Sequence, residues 1–144
     1  MTADIAPGWR QLIPHRGSMC LLDEVIAWDA STIHARSCSH ARADNPLRSD
    51  GVLRAVHLCE YGAQAMAVHG GLVARAAGGE AAAGFLVSLR NVELAVPRID
   101  DLVGALDVHA EQLIGDVAGW QYAFRIEHAG RVIARGRAAV LAAR

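Results

Sequence analysis

The chain has 144 residues, of which 53% are hydrophobic and 20% charged, so it can build one core and is too apolar for a disordered segment. Its net charge of −1 comes from 14 basic and 15 acidic residues without a basic block, which argues against a nucleic-acid partner. No apolar run approaches the roughly 20 residues needed to cross a bilayer, so no membrane span is expected.

The cysteine pattern indicates a reducing compartment. Cys20, Cys38 and Cys59 are odd in number, widely spaced and free of any Cys-x-x-Cys pair. The first residues are polar and do not resemble a secretion signal. We therefore expect free thiols and a cytoplasmic protein. No His-x-His, His-Glu-x-x-His or cysteine cluster occurs, so no metal site is predicted.

The N-terminal third predicts two strands after a short helical turn. The turn covers Pro7–Ile13 and is closed by Pro14, and a second, Gly-containing turn follows at His15–Ser18. The apolar run Met19–Trp28 predicts a first strand, and Ser31–His40 predicts a second strand that forms a hairpin with it. The Asn-Pro pair at 45–46 ends this hairpin and opens a loop that reaches residue 51.

The longest predicted element is a helix over Val52–His69. Ser49 or Asp50 can cap its start, and the pair Gly70-Gly71 is expected to end or kink it. Its apolar side chains recur at helical spacing, at Val52, Val56, Cys59, Ala63 and Met66. Because the segment is apolar on almost every side, we expect it to be enclosed by the rest of the fold.

After the glycines at 78–79 the apolar period changes from helical to two-fold, which indicates strands. The expected strands are Gly84–Val96, Leu102–Ile114, Trp120–Glu127 and Arg131–Leu141. The element order is β-β-α-β-β-β-β. It predicts an α+β protein, residues 1–144 in one domain, with a curved antiparallel sheet wrapped around a single long helix.

Three polar residues of the helix fall on one face. His57, Glu60 and Gln64 are three and four residues apart, which places their side chains together. A carboxyl group inside an enclosed helix favours its protonated form, as a general acid requires. The plainer alternatives are a polar stripe that reaches solvent and a simple pair between Glu60 and His57, and the pattern does not separate them.

Two motifs then resemble one family. The stretch 12–25, LIPHRGSMCLLDEV, is similar to L-x-P-H-R-x-x-x-L-L-x-D-x-V, the opening of the hot-dog-fold 3-hydroxyacyl-acyl-carrier-protein dehydratases. The helix segment with Gly51, Leu53, Glu60, Ala63, Gln64 and Ala65 is similar to their pattern G-x-L … E-x-x-A-Q-A. The resemblance covers nearly the whole chain. It implies the hot-dog fold and removal of water from a 3-hydroxyacyl thioester to give a trans-2-enoyl thioester.

One departure from the family concerns its catalytic histidine. The common bacterial fatty-acid dehydratases carry a G-H-F-P-x-x-P segment before the helix, whereas residues 44–51 here read DNPLRSDG and contain no histidine. This loop looks like the divergent branch of predicted dehydratases found with aryl-polyene and related polyketide-type gene clusters. The base is therefore open among three residues. His15 of the Pro-His-Arg motif is favoured, followed by His57 and then His40.

The resemblance also implies roles for other residues. Glu60 would protonate the departing hydroxyl with Gln64 as its hydrogen-bond partner, and backbone N–H groups at Gly51 and Val52 would hold the thioester oxygen at the helix N-terminus. Cys59 is expected to pack in the core rather than act as a nucleophile. The remaining histidines are expected at the surface: His34, His69, His109 and His128.

Partners follow from the same resemblance. The substrate would arrive on acyl carrier protein, whose phosphopantetheine arm makes any further cofactor unnecessary. The fold implies a homodimer, or a heterodimer with a related hot-dog subunit, in which the strand Gly84–Val96 pairs with its counterpart. Two alternatives stay open: an acyl-thioester hydrolase in which Glu60 activates water, and a catalytically degenerate subunit that supports an active partner.

Overall fold

The structure, a computed structural model, describes residues 5–81 and 84–143. Within them one helix, α1 (Leu58–Ala76), packs on a six-stranded antiparallel sheet. The strand order is β1-β2-β4-β5-β6-β3. The strands are β1 (Glu24–Trp28), β2 (Thr32–Ser37), β3 (Gly84–Leu94), β4 (Leu106–Gly115), β5 (Gly119–His128) and β6 (Arg131–Ala142). The predicted α+β architecture and the element order are confirmed.

Two-fold alternation places the core on one face of the sheet. Side chains that alternate along β4 and β5 are buried on the face that meets α1. The buried set is Leu106, Val108, Ala110, Tyr122, Phe124 and Ile126. The polar residues between them point to the opposite face, called the outer face below. The last four strands were predicted to within four residues at each end.

The helix begins later than predicted. A short 3-10 turn at Ala55–His57 precedes α1, and the chain before it is extended. The Leu53 N–H donates to Asp100 Oδ1 at 2.9 Å, and residues 54 and 98 form an isolated β-bridge. These bonds hold residues 53 and 54 outside the helix. The predicted start at Val52 is therefore wrong.

The helix also continues past the predicted stop. Gly70 and Gly71 lie inside α1, which ends at Ala76. A Cβ atom added at Gly71 would lie 2.8 Å from Cβ of Leu12, so the second glycine lets the N-terminal 3-10 turn Trp9–Leu12 approach the helix. The glycine at 71 serves close packing, and the prediction that it ends the helix is wrong.

The sheet encloses only part of the helix. Leu58, Tyr61 and Val68 are fully buried, whereas Val56, just before α1, is 54% exposed and Ala67 is exposed as well. The expectation of a helix enclosed on all sides is therefore wrong for the isolated chain. No helix in the described part of the chain has the length and apolarity needed to cross a membrane.

The first two strands are shorter than predicted. β1 begins at Glu24, because residues 19–22 are held against the helix by side-chain hydrogen bonds instead of a strand ladder. β2 ends at Ser37, and a 3-10 turn follows at Ser39–Ala41. The hydroxyl groups of Ser39 and Tyr61 form a 2.7 Å hydrogen bond, which fixes this turn on the helix.

Strand β3 is an exposed edge. Among the described strands it pairs with β6 alone, and its apolar side chains remain largely accessible, with Phe85 at 66%, Val87 at 52% and Leu89 at 42%. Its register shifts twice, and Asn91 at the second shift has a φ of 54°. A long apolar edge of this kind is a template for pairing with another strand.

Candidate active site

His15 and Glu60 lie next to each other at the start of the helix. The distance from His15 Nε2 to Glu60 Oε1 is 3.3 Å, and the two side chains are 26% and 37% exposed. Glu60 is in the first turn of α1, and His15 stands in the turn between the two N-terminal 3-10 segments. The structure thus brings together the favoured base and the expected acid, although the carboxyl group is half-exposed rather than enclosed.

Two arginines brace the turn that carries His15. Arg16 donates to the carbonyl oxygen of Ile13 and, at 3.1 Å, to that of His15. Arg10 donates to the carbonyl oxygens of Leu22 and Asp23, at 3.3 and 2.6 Å. Each guanidinium group has five N–H donors in one plane, so a single arginine can donate to several backbone carbonyl groups at once. The Pro-His-Arg motif therefore folds into a turn that points the imidazole at the helix.

Gln64 holds the neighbouring segment in place. It is fully buried, its Nε2 donates to Met19 O at 2.8 Å, and its Oε1 accepts from the Leu21 N–H at 2.9 Å. Its Nε2 also lies 3.5 Å from Glu60 Oε1, at the limit of a hydrogen bond. Both ends of the amide are therefore engaged in fixing the chain that follows His15.

The two nitrogens of His15 have different surroundings. Nε2 faces Glu60, whereas Nδ1 is buried and has no hydrogen-bond partner among the described residues. A buried N–H without an acceptor costs more than a lone pair without a donor. The surroundings therefore favour the tautomer that carries its hydrogen on Nε2, the nitrogen 3.3 Å from Glu60 Oε1.

The other proposed bases do not join this pair. His57 is half-buried, and in the described part of the chain no hydrogen bond or ion pair joins it to Glu60. His40 is fully buried, its Nε2 lies 3.0 Å from Leu102 O, and burial lowers its pKa. His40 therefore fastens the loop that precedes β4.

Gly51 and Val52, the residues of the expected oxyanion site, do not lie at the N-terminus of α1. Both residues lie in a turn before the helix, and the Val52 N–H donates to Ser49 O at 3.0 Å. That N–H is engaged, and the helix macrodipole does not act there because α1 starts at Leu58.

The expectation that His69 lies at the surface is also wrong. His69 is fully buried in α1, with Nδ1 2.7 Å from the Tyr122 hydroxyl and Nε2 2.9 Å from Asp29 O. The carbonyl group can only accept, so Nε2 carries the hydrogen and Nδ1 accepts from Tyr122. Burial lowers the pKa of His69 and raises the pKa of Tyr122 to about 12.

Cysteine and metal chemistry receive no support from the geometry. Cys59 is half-buried, and burial raises the pKa of its thiol, which disfavours the thiolate that a nucleophile needs. Among residues 5–81 and 84–143, no group of three His, Cys, Asp or Glu side chains could hold a metal ion.

A family model matches almost the whole chain. The model of the ApeP-like family, described as ApeP dehydratase, aligns with residues 7–144. The chain belongs to the ApeP-like dehydratase family. No protein with curated annotation is significantly similar to the sequence.

Solved structures share the fold of this ApeP-like protein. A chain of the dehydratase heterocomplex ApeI:P from Xenorhabdus doucetiae is 24% identical with a TM-score of 0.83, over 94% of this chain and 91% of that chain. AziG from S. sahachiroi is 20% identical with a TM-score of 0.60, over 84% and 90%. A hypothetical thioesterase with coenzyme A from Streptococcus pneumoniae is 11% identical with a TM-score of 0.61, over 83% and 84%. The ApeP-like chain has the hot-dog fold.

Proposed function

We propose that this ApeP-like protein removes water from 3-hydroxyacyl thioesters carried on acyl carrier protein, giving trans-2-enoyl thioesters in aryl-polyene or related fatty-acid and polyketide-type synthesis. Family membership supports the dehydration. The observation that carries the proposal is the 3.3 Å approach of His15 Nε2 to Glu60 Oε1, which joins two groups able to exchange protons.

The reaction needs one proton removed and one supplied. His15 takes the proton from C2 while Glu60 gives its proton to the 3-hydroxyl, which leaves as water, and the C2–C3 double bond forms. The pair then holds an imidazolium and a carboxylate. Transfer of the proton across their contact returns Glu60 to its acid form and His15 to its neutral form, so the site is ready for the next substrate.

We propose that a second hot-dog subunit completes the site. The His15–Glu60 pair is partly open to solvent, and one side of the apolar strand β3 has no partner strand among the described residues. Pairing along β3 would bury that edge and exclude water. The relative from Xenorhabdus doucetiae belongs to a dehydratase heterocomplex, which supports a heterodimer alongside the homodimer expected from the fold.

One observation favours a second function, a supporting subunit without its own turnover. To accept a proton on Nε2, neutral His15 must carry a hydrogen on Nδ1, and that nitrogen is buried without an acceptor in the described chain. The favoured tautomer leaves no lone pair on Nε2, so the imidazole does not act as a base in this state. The fold would then serve to stabilise an active partner.

The deciding experiment compares the purified protein alone and co-produced with a hot-dog partner. A 3-hydroxyacyl carrier protein is the substrate, and mass spectrometry detects the enoyl product. If the protein is a dehydratase, it shows turnover either alone or together with the partner. Glu60→Gln and His15→Gln then abolish that turnover, and Glu80→Gln on the exposed segment after the helix retains it.

Two other outcomes would contradict the dehydratase proposal. Inertness alone, with partner-dependent activity that survives Glu60→Gln, would establish the supporting role. Release of free thiol from a saturated acyl-CoA would instead identify a hydrolase, the reaction class of the thioesterase fold relatives.

A further inference from the structure

Four basic residues form a row across the outer face of the sheet. His34 on β2 is paired in register with His109 on β4, His109 with Arg125 on β5, and Arg125 with Arg135 on β6. Adjacent strands are about 4.8 Å apart, so the row brings four basic side chains close together, with the two positive charges of Arg125 and Arg135 directly opposite each other. Like charges directly opposite each other destabilise a sheet unless other groups compensate them.

Carboxylates flank the row: Glu93 on β3 is paired in register with Arg135, and two further carboxylates lie beside the imidazoles. His34 Nε2 lies 2.7 Å from Asp107 Oδ1, and His109 Nε2 lies 3.0 Å from Glu127 Oε2. The imidazole rings stack with their centroids 4.2 Å apart. Asp107 and Glu127 pair with each other in the next row of the sheet, so they stand behind the basic row.

A groove of about 560 Å³ runs along the other side of the row. This volume lies in the range of small-ligand sites. Ala123 forms part of its lining, and the ionisable groups that line it are His34, His109, Glu111, Arg125, Arg135 and Arg137. Three guanidinium groups therefore face one carboxylate, although the chain as a whole has a net charge of −1.

The three guanidinium groups are loosely held. The ion pair of Arg125 with Glu127 is 3.8 Å long, and that of Arg135 with Glu93 is 3.5 Å long. Charge-assisted hydrogen bonds of this kind are usually about 2.7–2.9 Å. Arg137 has no ion pair with any described residue, and none of the three side chains hydrogen-bonds to the described chain. Their N–H donors remain available.

We propose that this groove binds a dianionic oxyanion group, a phosphate or a sulfate. A tetrahedral dianion on the groove floor would accept hydrogen bonds from Arg125, Arg135 and Arg137 and would neutralise the like charges that the strand register brings together. The groove lies on the face of the sheet opposite α1 and Glu60, so the proposal is independent of the dehydratase activity.

The test is a nuclear magnetic resonance titration of the full chain with sodium sulfate, with ionic strength held constant by sodium chloride. We expect saturable shifts of the backbone amides of Ala123 and Arg137. Arg137→Gln should weaken sulfate binding by about fivefold, as expected for loss of one exposed charge contact. Glu111→Gln should tighten binding by a similar factor, because it removes the one carboxylate of the groove.

Arg131→Gln is the matched control, since Arg131 is exposed on the same strand and does not line the groove. It should leave sulfate affinity unchanged. Shifts that grow linearly without saturation, or equal weakening by Arg131→Gln and Arg137→Gln, would overturn the proposal. A parallel titration with phenyl phosphate separates the two sources of the dianion: tighter binding than sulfate indicates a phosphate ester, and equal or weaker binding indicates the free anion.

Discussion

Gln64 and Leu21 are joined by a hydrogen bond from the Leu21 N–H to the side-chain carbonyl of the buried glutamine, at 2.9 Å. The same amide donates to Met19 O. One side chain therefore supplies the backbone hydrogen bonds that residues 19–21 would otherwise make with a neighbouring strand. Glu60, one turn earlier on the helix, is exposed to 37% and makes no comparable backbone contact. The two polar helix residues therefore have different tasks.

This difference predicts opposite behaviour for two variants. Gln64→Leu leaves a buried N–H and C=O without partners and should lower the free energy of unfolding by about 2–4 kcal/mol. Glu60→Gln should change it by less than about 1 kcal/mol, since its pairing is partly solvated. Urea unfolding followed by circular dichroism measures both. Equal destabilisation by the two substitutions would contradict the assignment of Gln64 as the anchor.

Adjacent glycines of the helix should respond in opposite directions to alanine. Outside the helix's own backbone, no atom of the described residues lies within 4 Å of a Cβ built on Gly70. Gly70→Ala should therefore stabilise the protein by about 0.5–1 kcal/mol through helix propensity. The Cβ of Gly71→Ala would press on Leu12 at 2.8 Å, and we expect a loss of about 1–3 kcal/mol. Thermal unfolding of the matched pair checks this, and a stabilising Gly71→Ala would disprove the close contact.

Stability should fall as the pH drops below about 6.5. Burial lowers the pKa values of His40 and His69 in the folded protein. Below about pH 6.5 these two imidazoles therefore stay neutral in the folded state, whereas they take up protons in the unfolded state. Each of the two histidines can then lower the free energy of unfolding by up to about 1.4 kcal/mol per pH unit. We expect a lower free energy of unfolding at pH 5.5 than at 7.5.

Histidine variants provide the control for this pH dependence. His69→Gln should be less stable than the wild-type protein at pH 7.5 but should show a shallower fall between the two pH values. His57→Gln, which removes a half-buried imidazole without a hydrogen bond in the described chain, is the matched control for the loss of an imidazole. A steep slope retained in His69→Gln would exclude His69 as a source of the effect.

The edge strand β3 should govern association. A lysine at Val87, which is 52% exposed on that edge, should disfavour pairing with another strand and shift sedimentation toward the monomer. Val117→Lys is the matched control, because Val117 is 96% exposed in the turn between β4 and β5. If both variants sediment like the wild-type protein, association does not depend on β3.

The protonation pattern of His15 is directly measurable. Nδ1 is buried and has no partner among the described residues, which predicts the tautomer with its hydrogen on Nε2. Nitrogen-15 chemical shifts of the ring report which nitrogen carries the hydrogen. Glu60→Gln leaves Nδ1 buried and offers an amide oxygen that can still accept, so we expect the same tautomer in this variant. A hydrogen found on Nδ1 in the wild-type protein would remove the argument for a supporting role.

Periodicity was sufficient for the last four strands because its signal is local. The alternation in Trp120–Glu127 depends only on neighbouring residues, and β5 covers the predicted segment with one residue more at each end. The helix ends were wrong because they depend on distant partners. Asp100 holds the chain before α1 in an extended conformation. Leu12 packs so closely on the helix that residue 71 must be glycine, although the sequence analysis expected Gly71 to end the helix.

The site was predictable only where a motif marked it. The Pro-His-Arg and Glu-x-x-x-Gln patterns pointed to His15 and Glu60, which the structure places in contact. The burial of His69 was missed because its partners, Asp29 and Tyr122, come from other strands and loops. The outer-face groove was missed for the same reason, since strand register and not spacing along the chain assembles its basic row.

Phe124 fills a slot between two glycines, one on the helix and one on the neighbouring strand. A Cβ atom built on Gly62 would lie 2.7 Å from Cγ of Phe124. A Cβ atom built on Gly136 would lie 2.8 Å from Cζ of the same ring. The three positions are therefore expected to vary together during evolution, because a methyl group at 62 or 136 is tolerated only with a smaller residue at 124. This coupled triplet offers a criterion for recognising chains that pack helix and sheet in the same way when their active-site motifs have diverged.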